Sequence, residues 1–296
     1  MWEGGSMFTG SIVAIVTPFK NGKFDKESFR KLIEFQISNG TDGIVPVGCT
    51  GEAATLTHDE HKEVIDFTLE IVNRRVPVIA GTGSNSTAEA LELTKFARDS
   101  GCNGALIITP YYNKPTPDGL YKHYKKIAEE IDIPILLYNV PSRTGISILP
   151  ETVAHLAELK NIVGIKEASG SLDQVSKIIS LCGENFVVLS GDDSMTLPIM
   201  AVGGKGVISV AANIMPAQVS QMVHAALSGN WSEAQKMHIK LFNMFKALFI
   251  ETNPIPVKTC LSLMGKIELE LRMPLTPPSE ENRKKLESII KQYGLI

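Results

Sequence analysis

The sequence has few cysteines, no long apolar run and no excess of charge of one sign. Its four cysteines, Cys49, Cys102, Cys182 and Cys260, form no C-x-x-C pair, which argues against a disulfide framework or a zinc site. No apolar run approaches the roughly 20 residues that span a bilayer. The net charge of −3, with both signs interspersed, argues against a basic nucleic-acid-binding face. We therefore expect a soluble cytoplasmic protein without a metal site.

The first six residues, MWEGGS, have neither a basic region nor an apolar core, so they predict no secretory signal. A chain of 296 residues with 44% hydrophobic content can bury a large core. Its length suits either two ordinary domains or one barrel-sized domain with an appendage.

Short apolar runs recur along the chain and alternate with polar segments of helical spacing, several of which begin at Asp or Ser and end at Gly. The eight runs occupy residues 11–19, 43–48, 76–83, 104–112, 133–141, 162–169, 186–193 and 206–213. This alternation predicts a parallel sheet covered on both faces, and eight repeats favour an α/β fold of the (β/α)8 TIM-barrel type. An open doubly wound sheet is the alternative, although no G-x-G-x-x-G follows the first run.

The strand pattern stops after the eighth run, and the remaining segments have the composition and spacing of helices. We therefore predict a barrel over residues 7–215 that carries the active site and a helical C-terminal domain over residues 216–296. Many apolar side chains in the second part predict packing on the barrel or on another subunit.

The stretch IVGIKEASG, residues 162–170, places Lys166 inside an apolar run. Burying an unpaired charge costs several kcal/mol, so the amine must find a partner or lose its proton. Desolvation lowers a lysine pKa toward roughly 7 or 8, and a neutral amine forms a Schiff base with a ketone. A structural ion pair, for example with Asp192, is the alternative.

Alternation along this strand indicates which way the lysine points. Lys166 shares one face with Gly164 and Ala168, whose small size leaves room in the barrel interior. Val163 and Ile165 share the other face, which we expect to lie under the helices.

Active sites of such barrels lie at the C-terminal ends of the strands. Tyr138 ends the strand before that of Lys166, and its phenol can donate and accept protons within hydrogen-bond reach. The side chains expected to converge at this mouth are Lys166, Tyr138, Tyr111, Tyr112, Thr50 and Arg143.

The motifs GCTGE, TPYYNKP, YNVPSRTG, VGIKEASG, LSGDD, GVISVAAN and NPIPVK occur in this order from about residue 8 to the C-terminus. This set resembles the dihydrodipicolinate synthase family, within the pyruvate-dependent Schiff-base lyases and aldolases. The resemblance implies condensation of pyruvate with L-aspartate 4-semialdehyde to 4-hydroxy-tetrahydrodipicolinate, which opens the diaminopimelate route to lysine. It also implies a homotetramer of two dimers, with no cofactor beyond the covalent pyruvate imine.

The resemblance assigns roles to individual residues. Lys166 would carry the imine and Tyr138 would donate and accept protons. Thr50 would hold the pyruvate carboxylate with help from the backbone of Ile208, and Gly191 would line the same pocket.

Two further roles concern the edge of the site. Tyr112 would extend a proton relay from Tyr138, reaching across from a neighbouring subunit. Arg143 would bind the semialdehyde carboxylate, for which a guanidinium fork is well suited. N-acetylneuraminate and sugar-acid lyases lack this arginine, and they are the alternative activity.

Cys49 departs from the family pattern, which has threonine or serine at this position as a relay hydroxyl. A thiol is a weaker hydrogen-bond donor, so we expect reduced turnover while imine formation on Lys166 persists. A paralogue that only binds pyruvate or lysine is the non-enzymatic alternative.

A second cluster resembles the allosteric lysine pocket of inhibited family members. It consists of His58, His61, Asn85, Glu89 and Tyr111, with Ala53 and Ala54 beside them. The resemblance implies feedback inhibition by L-lysine, weakened because Ala53 replaces a serine.

Two other patterns suggest different chemistry. Asp192 and Asp193 are adjacent acids, as in a metal-dependent aldolase, but no third ligand is evident. GTGSNST and VGGKGV are glycine-rich like phosphate loops, and a turn with a helix cap explains the first, while the second precedes the eighth strand.

Overall fold

The computed structural model describes residues 7–296, so the prediction about MWEGGS lies outside the described residues. The strands are β1 (Gly10–Ala14), β2 (Phe19–Lys20), β3 (Lys23–Phe24), β4 (Gly43–Val45), β5 (Ile79–Gly81), β6 (Gly104–Ile108), β7 (Ile135–Asn139), β8 (Ile162–Glu167), β9 (Val187–Ser190) and β10 (Gly206–Ser209). Eight of them form one parallel sheet, while β2 and β3 form a small antiparallel hairpin.

The helices surround this sheet and follow the predicted polar segments. They are α1 (Lys26–Ser38), α2 (His58–Val72), α3 (Thr87–Ser100), α4 (Pro117–Glu130), α5 (Pro141–Thr144), α6 (Pro150–Ala157), α7 (Leu172–Cys182), α8 (Thr196–Ala201), α9 (Pro216–Leu227), α10 (Trp231–Ala247), α11 (Ile255–Leu263) and α12 (Glu280–Gln292). No helix within residues 7–296 is long and apolar enough to cross a membrane.

The sheet closes into a barrel. The strands run in the order β4-β1-β10-β9-β8-β7-β6-β5, and β4 returns to β5 through a parallel bridge between Ile44 and Val78. A backbone hydrogen bond of 3.1 Å from Gly81 to Pro46 strengthens this junction. Each predicted apolar run overlaps one barrel strand, which confirms the barrel and shows that the doubly wound alternative is wrong.

Local sequence signals explain where helices begin and end. Thr57 caps α2 by accepting a hydrogen bond from the Glu60 amide, and the Glu60 side chain accepts one in return from the Thr57 amide. At α3, Ser86 caps the start and Gly101 ends the helix in the left-handed conformation.

Two apolar cores lie on the two faces of the barrel wall. The inner core fills the barrel and includes Ile12, Ala14, Val45, Ile79, Leu106, Leu136, Val187, Leu189 and Ile208. The outer core lies between strands and helices and contains the alternate strand residues. Except on β8, the strand residues alternate between the two cores, as the sequence pattern predicts.

Val163 breaks this alternation. It was expected beside Ile165 under the helices, but it packs in the inner core. The pairing between β7 and β8 shifts here, from Ile135 opposite Ile162 to Leu136 opposite Gly164. An extra residue at this irregularity moves Val163 to the interior, while the predicted faces hold from Gly164 onward.

The chain after β10 is helical, and α9 packs against β1. The Ser220 hydroxyl donates to the Gly40 carbonyl at 2.7 Å, and His224 Nε2 lies 2.8 Å from Asp42 Oδ2. The division between a barrel and a helical domain at residue 215 stays a prediction, since α9 covers the barrel as the other βα-unit helices do.

Candidate active site

Lys166 lies near the end of β8, in the mouth of the barrel, with 5% of its surface exposed. Its partner in the sheet register is Tyr138 on β7, and Nζ lies 4.3 Å from the centre of the Tyr138 ring. Within residues 7–296 Nζ has no hydrogen-bond or ion-pair partner, so the structure does not contain the alternative ion pair with Asp192.

The surroundings of Lys166 favour the neutral amine. Burial lowers the pKa of Lys166 to about 8, against opposing contributions from Cys49 and Asp193, while the Arg143 cation lowers it further. About one tenth of the amine is then neutral at pH 7, a far larger fraction than in a lysine of ordinary pKa.

Tyr138 is buried directly beside this amine. Burial raises the pKa of its phenol well above the usual value, and the neighbouring Cys49 raises that pKa further, whereas the Arg143 cation lowers it. The phenol therefore stays protonated at neutral pH and is available as a proton donor.

Gly191, at the end of β9, lies against the stem of Lys166. A Cβ built at Gly191 would be 3.2 Å from both Cγ and Cε of Lys166 and 2.6 Å from the Ala168 Cβ. Any side chain here would clash with Ala168 and press on the Lys166 stem, so this close approach requires glycine. Ile208 is fully buried in the inner core, opposite Ile12 in the register.

Thr50 and Arg143 are connected through a residue that sequence reasoning missed. Asn253 donates from Nδ2 to the Thr50 hydroxyl oxygen at 2.9 Å, and Arg143 donates from Nη2 to the Asn253 carbonyl at 2.9 Å. The NPIPVK motif begins at Asn253, but no spacing rule indicated that this segment would reach the barrel mouth.

A cavity of about 430 Å³ opens at this mouth. Its lining includes Cys49, Tyr138, Arg143 and Asn253 from the predicted catalytic side, and Ala53, Ala54, His58, His61, Glu89 and Tyr111 from the predicted lysine pocket. Its wall does not include Thr50, Lys166, Gly191 or Ile208.

Another cavity, of about 570 Å³, lies beside Val78 and Asn103 at the N-terminal ends of β5 and β6, where barrel enzymes do not place their chemistry.

Tyr112 does not join the site within this chain. Its side chain is 89% exposed, whereas Tyr138 is buried. Asn85 also lies outside the cavity wall, and its Nδ2 donates to the Tyr111 carbonyl at 3.1 Å.

The predicted lysine pocket combines a neutral histidine with an acid. His61 Nε2 lies 2.8 Å from the Gly81 carbonyl, and burial lowers the pKa of His61 to about 4, so its ring is neutral at physiological pH. Glu89 accepts a hydrogen bond of 2.6 Å from the Ser84 hydroxyl. His58 is partly exposed at the rim.

The adjacent acids Asp192 and Asp193 accept hydrogen bonds from nearby amides and hydroxyl groups. Asp193 accepts hydrogen bonds from the Ser209 hydroxyl and from the amides of Val210 and Ala211. Asp192 accepts from the Ser194 amide and hydroxyl. Within residues 7–296, no three His, Cys, Asp or Glu side chains are grouped as a metal site requires.

Known proteins share much of the sequence and the fold of this chain. The model of the dihydrodipicolinate synthetase family matches residues 7–293. The 4-hydroxy-tetrahydrodipicolinate synthase of Geotalea uraniireducens (strain Rf4) is 60% identical over 290 residues, covering 98% of this chain and 100% of that protein. The crystal structure of dihydrodipicolinate synthase from Aquifex aeolicus has a TM-score of 0.96 and 52% identity, covering 97% of this chain and 99% of the other.

Two further structures carry ligands. The enzyme from Acinetobacter baumannii, complexed with pyruvate, has a TM-score of 0.96 and 48% identity, covering 97% of this chain and 99% of the other. The enzyme from Cyanidioschyzon merolae, with lysine bound, has a TM-score of 0.95 and 40% identity, covering 98% and 99%. Fold, motif order and site geometry lead to one conclusion: the chain belongs to the dihydrodipicolinate synthetase family.

Proposed function

We propose that this chain condenses pyruvate with L-aspartate 4-semialdehyde through an imine on Lys166, yielding 4-hydroxy-tetrahydrodipicolinate. The neutral amine attacks the ketone carbon of pyruvate, a C–N bond forms, and the carbonyl oxygen leaves as water after two proton transfers. Tyr138 gives and takes these protons, since the centre of its ring lies 4.3 Å from Nζ and its phenol is protonated at neutral pH.

The imine withdraws electrons, so the pyruvate methyl group loses a proton and becomes an enamine. That carbon then attacks the aldehyde carbon of the second substrate, whose carboxylate Arg143 binds at the edge of the cavity. The aldehyde oxygen takes up a proton and becomes the hydroxyl group of the product. The amino group of the second substrate then adds to the imine carbon and closes the ring, and the C–N bond to Lys166 breaks, which returns the free amine. The reaction needs no cofactor beyond the covalent imine. The observation that carries this proposal is the buried amine of Lys166, which lies over the Tyr138 ring and has no hydrogen-bond or ion-pair partner within residues 7–296. Relatives named for this reaction support it.

Reductive trapping tests the proposal. Pyruvate and borohydride should leave one carboxyethyl group on Lys166, found by peptide mass mapping, and abolish turnover. Lys258, the other deeply buried lysine, is the internal control and should remain unmodified. Modification of another lysine alone, or none at all, would contradict the imine mechanism.

A coupled assay decides which second substrate the imine accepts. Product formation with L-aspartate 4-semialdehyde supports the proposed condensation. Pyruvate release from N-acetylneuraminate or a sugar acid, without condensation, would instead support the lyase alternative. Trapping without either turnover would support the binding paralogue.

We further propose that L-lysine inhibits the chain by binding in the part of the cavity that is lined by His58, His61, Glu89 and Tyr111. Glu89 supplies a carboxylate for an ammonium group, and the lysine-bound relative supports this assignment. Inhibition at millimolar lysine, weakened in Glu89→Gln but retained in Glu129→Gln, a variant of an exposed acid on α4, is the expected result. Kinetics unchanged by lysine would remove this proposal.

The exposure of Tyr112 supports a further proposal, a homotetramer in which this side chain reaches a neighbouring subunit. Sedimentation velocity should report four chains. A Tyr112→Phe variant should then lower turnover without changing the assembly, whereas a fully active monomer would contradict the proposal.

A further inference from the structure

The C-terminal segment 253–258 contacts the loop after β4 at two points. Its first contact is the hydrogen bond from Asn253 Nδ2 to the Thr50 hydroxyl. The Asn253 side chain is buried, and its Oδ1 has no partner within residues 7–296, so Thr50 is the one described group that the amide binds. Since the Thr50 oxygen accepts this bond, its own hydrogen is left to be donated elsewhere.

The second contact is a buried ion pair. Lys258 Nζ lies 2.5 Å from Glu52 Oε1 and donates to the Thr17 carbonyl at 3.0 Å. The other oxygen of Glu52 accepts from the Arg272 amide at 2.9 Å. Both side chains of the pair are almost wholly buried, with 0% and 1% exposed.

These contacts hold Glu52 in an unusual backbone conformation. Its φ of 56° lies in the left-handed region, which costs free energy for a residue other than glycine. The contacts of its carboxylate with Lys258 and the Arg272 amide come from outside the loop and help to offset this cost. The Thr17 hydroxyl donates to the Gly51 carbonyl at 2.7 Å and holds the neighbouring peptide. Residues 50–52 are thus held by the side chains of Thr17, Asn253 and Lys258 and by the Arg272 amide.

We propose that Asn253 and Lys258 are positioning residues for pyruvate. Asn253 orients the Thr50 hydroxyl so that its hydrogen points to the keto acid's carboxylate, and the Lys258–Glu52 pair holds the loop that carries Thr50. This inference rests on the proposed function, because it takes from the family resemblance that Thr50 binds the pyruvate carboxylate. It makes the C-terminal helical region part of the substrate site.

A double-mutant cycle tests the orientation of Thr50. Asn253→Ala should raise the KM for pyruvate roughly tenfold, the effect of one hydrogen bond to a charged group, with a smaller change in kcat. The KM for the semialdehyde should stay the same, because the bond from Arg143 goes to the Asn253 main chain, which the substitution keeps. In a Thr50→Val background, Asn253→Ala should add less than twofold.

Asn161→Ala is the matched control. Asn161 is an equally buried asparagine whose Nδ2 donates to three carbonyls far from the barrel mouth. This variant should lose stability without changing the KM for pyruvate. If Asn253→Ala leaves that KM unchanged, or if its effect is undiminished in Thr50→Val, the orienting role is wrong.

Lys258 is tested in a form that does not leave a buried charge unpaired. Glu52→Gln/Lys258→Met removes both charges together and should raise the KM for pyruvate severalfold while borohydride still traps pyruvate on Lys166. An unchanged KM in this variant would show that the pair does not position the loop. Failure of trapping in the unmodified chain would instead refute the proposed function, so the two outcomes are distinguishable.

Discussion

Two buried lysines, Lys166 at the barrel mouth and Lys258 on α11, have similar surroundings. We assign Lys166 as the nucleophile and Lys258 as a positioning residue. Each ammonium group lies over an aromatic ring, at 4.3 Å from the Tyr138 centroid and 4.4 Å from the Phe19 centroid. In each case burial is the main cause of a lowered pKa. The difference is the partner, since Lys258 has the Glu52 carboxylate and Lys166 has none within the described residues.

This comparison shows that burial alone does not make a lysine reactive. A paired ammonium is held charged by its carboxylate and serves packing and position, whereas an unpaired one gives up its proton near neutral pH. The predictions below alter one lysine or its neighbours and follow from this contrast.

Lys166→Met should have the largest effect. Without the nucleophile, turnover should fall on the order of 10⁴-fold or more, because no imine forms. The free energy of unfolding should be unchanged or higher by about 1 kcal/mol, since a buried unpaired amine is replaced by an apolar side chain of similar length. Steady-state kinetics and urea unfolding measure the two effects, and a large loss of stability would mean that Lys166 has a structural partner.

Lys258→Met, unlike Lys166→Met, should destabilise the fold. Leaving Glu52 buried without its cation should lower the free energy of unfolding by about 3–5 kcal/mol. The double variant Glu52→Gln/Lys258→Met should recover most of that loss in urea unfolding. If the single and double variants are equally stable, the pair is not the buried interaction described above.

Tyr138→Phe keeps the ring over Lys166 and removes the phenolic proton. We expect kcat to fall by about 10² to 10³, in the range of a lost general acid–base. Borohydride should still trap pyruvate on Lys166, more slowly, which separates proton transfer from nucleophilic attack. Full activity in this variant would assign the proton transfers to another group.

Cys49→Thr should change kcat least among these variants, and it should raise kcat rather than lower it. A hydroxyl is a better relay than a thiol beside Tyr138, so kcat should rise by up to about tenfold. Cys102→Thr, at a buried cysteine outside the site, is the control and should not raise it. A fall in kcat for Cys49→Thr would show that the thiol is the better partner for this phenol.

The barrel was predictable because eight apolar runs and their capped helices are local patterns, and each run overlaps an observed strand. The inward side of Lys166 followed from alternation, but the displacement of Val163 did not, since a register shift depends on the neighbouring strand. The contacts of Asn253 with Thr50 and of Lys258 with Glu52 join residues about 200 apart, which no local pattern encodes. The catalytic and allosteric roles themselves stay predictions.

The pH dependence of pyruvate trapping tests the central claim most directly. The rate of reductive labelling of Lys166 should rise from pH 6 and level off above an inflection near pH 8, because only the neutral amine attacks. Arg143→Leu removes a cation that lowers this pKa, so its inflection should move to higher pH. An inflection near pH 10 in the unmodified chain would show an ordinary lysine and contradict the account.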